Sequence, residues 1–319
     1  MCQRLYLTRA TSHSFVAQLV IIDSSRYDPM RTTTADTEAS PLPRIIVYHQ
    51  THYHCGHFVS LLPLLTERTG ITHVIIAAFH LNSPSSITLN DDPYTASKNT
   101  AIWEEVRILQ RHGVKVLGML GGAHQGSYTA LDGEKGSFEA YYKILRKMIE
   151  WTRLDGLDLD IEEAMSLPSV IRLIDRLKMD CGQDFLITLA PVATAMRAQR
   201  NLSGFDYEAL DKAFSDKIAW YNTQFYCGWG NMAETEDYER IIMRGWPASK
   251  VVVGLVTNPA NCSGWIADEP LRKTLTALKE KYPDIGGVMG WEYFNSMTER
   301  DGYGTPWCWA KWMCEVLRS

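Results

Sequence analysis

Residues 155–162 read DGLDLDIE, and three of the acids in that octet stand at alternate positions: Asp158, Asp160 and Glu162. Between and before them stand Leu157, Leu159 and Ile161. In an extended chain successive side chains point to opposite faces. The three carboxyls therefore share one face at roughly 6.6 Å per pair, and the three aliphatic groups share the other. A solvated run of charge does not alternate with apolar residues in this way. Carboxylates this close in a buried strand do not all ionise, so at least one proton is retained and shared among them. A metal site is the other chemistry such a row offers. It needs further carboxylate or His ligands from neighbouring strand ends, and those ends supply mainly Gly, Gln and Tyr. Asp155 faces away from Asp158 and reads as a turn or salt-bridge residue.

The acid row needs a scaffold, and the rest of the chain supplies one. From residue 44 onward, short β-branched apolar runs alternate with longer amphipathic stretches. Strands are expected at 45–50, 73–81, 114–122, 154–162, 184–192, 218–226, 250–257 and 287–294, and helices at 97–112, 137–152, 167–181, 205–213, 236–244, 270–281 and 305–317. Alternating strands and helices imply right-handed crossovers and a parallel sheet. Eight such units fit a closed α/β barrel, the (β/α)8 TIM barrel, better than an open doubly wound sheet. No GxGxxG follows the first strand, which weakens a dinucleotide-binding alternative. In a barrel the chemistry gathers at the C-terminal strand ends. Those ends carry Tyr48, His49 and Gln50; Phe79 and His80; Gly121 and Gly122; the acid row; Gln224 and Tyr226; and Trp291. Asn222 and Gln224 share the face of Tyr226, whereas Glu292 alternates away from Trp291.

The 319 residues carry 45% hydrophobic and 22% charged side chains, a globular composition. No run of 18 or more apolar residues is present, which excludes an integral membrane helix. A net charge of −5 argues against a nucleic-acid partner held on a basic face. Ten Trp and 15 Tyr offer flat apolar bodies with polar edges, which suit carbohydrate rings, although most are expected to pack the core. The stretch His49-Gln-Thr-His52-Tyr-His54-Cys55-Gly-His57 matches no standard zinc spacing and is expected to form a polar rim. Seven scattered cysteines leave the redox compartment undecided; Cys308 and Cys314 fall on different faces of one helix and are not expected to bridge. Residues 1–43 read as a poorly ordered extension ending in the small, polar segment 32–43. Its apolar run 15–22 is broken by Gln18 and lacks a clean cleavage site, so both secreted and cytoplasmic locations stay open. Two sequons, at Asn201 and Asn261, matter only in a secreted chain.

DGLDLDIE matches every defined position of the DGxDxDxE signature of the family 18 glycoside hydrolases, and residues 44–319 resemble that family throughout. Gly121-Gly122 stand as in its SxGG motif, with Met119 in place of the usual Ser. Gln224-Phe225-Tyr226 is similar to the QFY of its single-domain plant and fungal enzymes, and Trp291 stands where the family has its subsite floor. Segments 186–193, 220–226 and 286–296 resemble the fungal endo-β-N-acetylglucosaminidases of this family. The stretch between Thr257 and Gly286 is too short for the extra α+β insertion of processive chitinases, so a single catalytic barrel over 44–319 is expected.

The resemblance implies an endo-acting, retaining hydrolase of β-1,4 linkages between N-acetylglucosamine residues, in chitin oligomers or in the di-N-acetylchitobiose core of N-glycans. The sugar's own acetamide assists the reaction. By this resemblance Glu162 is the proton donor, Asp160 orients the acetamide, Asp158 shares protons below it, and Tyr226 donates to the acetamido oxygen. Trp291 is the floor, with Gln224, Asn222, Tyr48, Phe79 and Gly122 as further substrate-binding or supporting residues. No cofactor or metal is implied. The expected partner is an N-acetylglucosamine-containing oligosaccharide or glycoprotein, met by a monomer, with no nucleic acid or membrane. A sugar-binding barrel without activity is the alternative, although such proteins usually lose the terminal acid that Glu162 retains here. A phosphodiesterase-type barrel lacks support in an evident catalytic His pair.

Overall fold

The computed structural model describes residues 42–318, so the N-terminal extension expected over 1–43 lies outside the described residues except for its last two. In chain order the elements begin with β1 (Arg44–His49), the small hairpin of β2 (Tyr53–His54) and β3 (His57–Phe58), and α1 (Pro63–Thr66). There follow β4 (His73–Ser83), β5 (Ser86–Leu89), β6 (Asp92–Pro93), α2 (Thr100–Arg111), β7 (Lys115–Gly121), α3 (Ser127–Leu131) and α4 (Lys135–Thr152). The second half holds β8 (Gly156–Asp160), α5 (Leu167–Cys181), β9 (Leu186–Leu189), α6 (Tyr207–Phe214), β10 (Trp220–Gln224) and α7 (Glu236–Ile242). It closes with β11 (Val251–Val256), α8 (Asp268–Lys281), β12 (Gly287–Trp291) and α9 (Trp307–Arg318).

Strands β1, β4, β7, β8, β9, β10, β11 and β12 pair in parallel, each with the next, and β12 pairs with β1 to close the ring. This is the expected (β/α)8 barrel. Alternation sorts the side chains into two sets. Ile46, Ile75, Leu117, Met119, Val252 and Met289 fill the barrel interior. Ile45, Val47, Leu157, Leu159, Val251 and Val253 point outward, beneath the helices. The helices answer with apolar stripes at helical spacing: Ile102, Val106 and Leu109 on α2, and Val170, Leu173, Ile174 and Leu177 on α5. Each such side chain contributes about 1.5–3 kcal/mol on full burial, so the two-layer core is what holds the strand ends in register. Local signals end the helices: Pro168 opens α5, Gly182 follows it, and the Asp206 side chain accepts from the amides of Glu208 and Ala209 at the start of α6.

The sequence pattern misplaces one residue on β4. Ile75, Ala77 and Ala78 all belong to the interior cluster, because the register of β4 against β7 shifts between Ile76 and Phe79. The shift turns Phe79 outward, where it is fully buried against Trp103 of α2 with ring centroids 6.3 Å apart. Phe79 is thus part of the outer core and not a substrate contact. Two short hairpins are also absent from the sequence reading. β2–β3 lies within the His-rich stretch, and β5–β6 extends the end of β4 in antiparallel fashion. Strands of two to four residues carry little measurable period.

Candidate active site

The acid row sits on β8 and just beyond it. The strand ends at Asp160 rather than at Glu162, because its partner on β7, Gly121, turns the neighbouring chain away at φ +91°. Only glycine fits there: a Cβ at Gly121 would lie 2.5 Å from the Asp160 carbonyl oxygen. Gly122, also at φ +91°, donates its amide to that same carbonyl at 2.9 Å, and a Cβ on it would meet the Met119 side chain at 2.8 Å. The pair of glycines brings backbone against the acid row and leaves Gly122 lining the cavity above it.

That cavity has a volume of about 400 Å³ and is lined by Gly122, Asp160, Glu162, Gln224, Tyr226 and Trp291, among others. Asp160 and Glu162 are the only carboxyl groups lining it among the described residues. Gln224 ties them together: its amide nitrogen lies 3.3 Å from Asp160 Oδ1 and 3.3 Å from Glu162 Oε1, and donates to the Ala190 carbonyl at 2.9 Å. Asp158 lies beneath, fully buried. It accepts from Tyr48 Oη at 2.7 Å, Thr188 Oγ1 at 2.6 Å and Asn222 Nδ2 at 2.9 Å.

Burial governs the protonation of this row. It lifts the proton affinity of Asp160 well above the usual carboxylate range, and the charges of Glu162 and Asp158 push it further the same way. Burial also raises Glu162, against the pull of the Gln224 amide. Asp158 is raised by burial too, while its three donors favour the ionised form. The row therefore holds protons at a pH where isolated carboxylates would have lost them. Tyr226 is pushed well above the ordinary phenol range, first by burial and then by the charges of Asp160, Glu162 and Asp158. Its hydroxyl stays protonated beside the acids and can act as a donor.

The expected site residues fall into three groups. Glu162, Asp160, Tyr226, Gln224, Trp291 and Gly122 line one cavity. Asp158, Tyr48 and Asn222 lie below it. Asn222 is fully buried, with its amide on Asp158 and its carbonyl oxygen accepting from Trp220 Nε1 at 2.9 Å, so it supports the row rather than meeting a ligand. Tyr48 is 2% exposed and gives its hydroxyl to Asp158, while its ring packs on Trp291 at 5.5 Å. Phe79 is outside the site altogether; the shift in β4 brings His80 to the mouth, with its ring 5.0 Å from that of His124. Asp155 behaves as a salt-bridge residue, pairing with Lys115 at 3.4 Å and accepting the Val116 amide.

Several supporting residues escape sequence reasoning. Thr188 stands directly opposite Asp158 in the β8–β9 register, and register arithmetic would have found it. Glu163, next to the terminal acid, is buried. It accepts from the amides of Gly126 and Tyr128 and from Thr129 Oγ1, so it fixes the loop after β7. Glu292, next to Trp291, does the same for the loop after β1 by accepting from the amides of Gln50 and Thr51 and from Thr51 Oγ1. Cys227 and Cys262, both lining the cavity, form a disulfide. Asn261 lies beside it and donates to the Trp291 carbonyl at 2.8 Å. The His-rich stretch splits by burial: His49 and His52 are buried and kept neutral, His52 at about 4, whereas His54 and His57 are exposed. Among the described residues no three His, Cys, Asp or Glu side chains gather as metal ligands would.

Comparison with known proteins bears on the family and the fold. The profile of the glycosyl hydrolases family 18 matches residues 44–311. A chitinase of Enterococcus faecalis is 26% identical over 262 residues, covering 71% of this chain and 72% of that one. Among solved structures, a fungal endo-beta-N-acetylglucosaminidase from glycosyl hydrolase family 18 is 46% identical. The match covers 87% of this chain and 99% of that chain, with a TM-score of 0.84. A chitinase from Aspergillus fumigatus is 52% identical over 86% of this chain and 99% of that chain, with a TM-score of 0.79.

Proposed function

The chain belongs to family 18 of the glycosyl hydrolases, and from that premise we propose that it cleaves β-1,4 linkages within chains of N-acetylglucosamine, with retention and with help from the substrate's own acetamide. The observation that carries this reading is the carboxyl inventory of the cavity. The only two acids lining it, among the described residues, are neighbours on one strand end, bridged by one amide. The general two-carboxylate scheme places a second acid across the bond as nucleophile or base, and no lining acid takes that place.

In the proposed sequence Glu162 gives its proton to the glycosidic oxygen, and burial raises its proton affinity above that of an exposed carboxylate. The acetamido oxygen attacks the anomeric carbon as the leaving sugar departs. The resulting oxazolinium ion carries positive charge next to Asp160, which orients the acetamide N–H and balances that charge. Tyr226 donates to the acetamido oxygen. Trp291 holds the sugar from below. Tyr48, Thr188 and Asn222 hold Asp158 in place, and Asp158 shares in the proton of Asp160 without touching the sugar. Water, deprotonated by Glu162, then opens the ring from the face the leaving group vacated. Two inversions at one carbon give retention.

The similarity to a fungal endo-beta-N-acetylglucosaminidase supports the N-glycan core as substrate, and that to chitinases supports chitin. Both present the same disaccharide. Incubation with chitin oligomers and with a high-mannose glycoprotein separates them by which is shortened. Fully deacetylated oligomers test the mechanism, since an amine cannot close the ring. They should resist cleavage, and rapid hydrolysis of them would overturn substrate assistance.

A further inference from the structure

Of the ten tryptophans, Trp151 alone is exposed, at 48%. It stands at the C-terminal end of α4, and its ring meets those of Tyr94 at 5.4 Å and Trp103 at 5.8 Å, edge to face. Trp103 in turn stacks on the buried Phe79, so four aromatic rings run from the barrel wall to the surface. The Trp103 indole N–H donates to the Tyr94 carbonyl at 2.8 Å, which holds the two rigidly. Trp103 and Trp151 line a cavity of about 630 Å³ between α2 and α4, within the size range of small-molecule sites. It shares no lining residue with the cavity over Glu162.

The polar lining indicates the ligand. Glu104 and Glu150 bring two negative charges, and Arg107 and Arg153 bring two positive ones. Glu150 is already paired with Arg146, and Arg107 donates to Gln110 and to the Arg153 carbonyl, so the rim presents little free charge to an ion, while its remaining donor and acceptor capacity stands beside an aromatic wall. An uncharged pyranose meets both conditions, with C–H groups for the indole face and hydroxyl or acetamide groups for the charged rim. We propose that this cavity is a second binding site for a β-1,4-linked N-acetylglucosamine chain, separate from the catalytic cavity. The choice of sugar rests on the substrate reading above. Such a site raises the effective concentration of a long chain and does nothing for a short one.

Trp151→Ala should weaken retention on insoluble chitin about five- to tenfold, the scale of one lost ring contact. It should leave the rate on chitotetraose within about twofold. Trp151→Phe, which keeps a ring, should hold most of the retention. Equal retention by Trp151→Ala and the parent, with chitotetraose still cleaved, would overturn the second site and leave the catalytic reading intact. Should the parent leave chitotetraose intact but shorten a high-mannose glycoprotein, the catalytic reading keeps the N-glycan core as its substrate; should it cleave neither, that reading falls, and in both cases the second site is decided by tryptophan fluorescence with chitopentaose in the Trp291→Ala variant. A saturable change that disappears in the Trp291→Ala, Trp151→Ala double variant supports it, and its absence overturns it.

Discussion

Replacing an acid by its amide keeps the shape and removes only the proton. Glu162→Gln should therefore lower turnover by about 10²–10⁴-fold, the usual worth of a positioned general acid, with little change in oligomer binding. Full activity would end the assignment of Glu162 as donor. Asp160→Asn separates charge from geometry. Asp160 lies within reach of the same Gln224 amide as Glu162, and once Asp160 has lost its own proton its charge makes the Glu162 proton harder to remove, an effect the amide abolishes. The high-pH limb of the rate profile, where the donor loses its proton, should then move to lower pH, beneath a severe fall in rate. An unmoved limb would show that the two carboxyls are uncoupled. Stability follows the same sign. Burial raises the folded-state proton affinity of Glu162, so its contribution is full at low pH and is lost as pH rises through the raised value. Glu162→Gln should accordingly melt higher than the parent at pH 8 and show a smaller gain at pH 4. At this scale the acid row is legible because three carboxyls on one strand face call for a reason. The depth of Tyr48 and Asn222 is not, since a shared face does not say which residue lies under which. Phe79 shows the limit of period-two reasoning, as one register shift reverses the direction of everything after it.

The two glutamates that adjoin site residues act on whole loops. Glu163 follows the proposed donor and holds the loop between β7 and α3, and Glu292 follows the proposed floor and holds the loop after β1. Each carboxylate gathers backbone amides that no ladder satisfies, and thereby joins its own strand end to an adjacent mouth loop. Glu163 also sits at the start of α3, where amide N–H groups point outward. Glu163→Ala leaves those donors without their partner, which should cost about 1–3 kcal/mol and appear as a lower melting temperature. Because the loop carries Gly122, Ala123 and His124 of the cavity wall, kcat should fall more than KM rises. Unchanged melting and unchanged kcat would refute the anchoring role. The eight strands and the major helices are readable in the sequence, since each spans enough residues to show its period. The anchors are not, because an acid just past a strand end looks the same whether it faces water or a neighbouring loop.

Across the molecule, the Cys227–Cys262 bridge ties together the loops that follow β10 and β11. Cys227 follows Tyr226, and Cys262 follows Asn261, which donates to the carbonyl of Trp291 on β12. Three successive mouth segments are thereby joined, with the proposed acetamide donor at one end and the proposed sugar floor at the other. Spacing along the chain could not pick this pair from seven cysteines; the barrel does, by setting β10 beside β11 and bringing the two Cα atoms to 5.6 Å. Cys55, Cys181, Cys308 and Cys314 stay unpaired, the last two on one helix as their spacing requires. Closing a separation of 35 residues removes conformational freedom from the unfolded chain, worth about 2–4 kcal/mol. For a chain of this size each kcal/mol moves the melting temperature by about 1.5 °C. The Cys227→Ser, Cys262→Ser double variant should therefore melt roughly 3–6 °C lower. It should also lose turnover, because Tyr226 and Trp291 are then held by separate loops. Reductant should bring the parent toward the double variant and leave the double variant itself unmoved. Equal melting and equal rates in all four samples would show that the bridge neither stabilises the barrel nor sets its mouth.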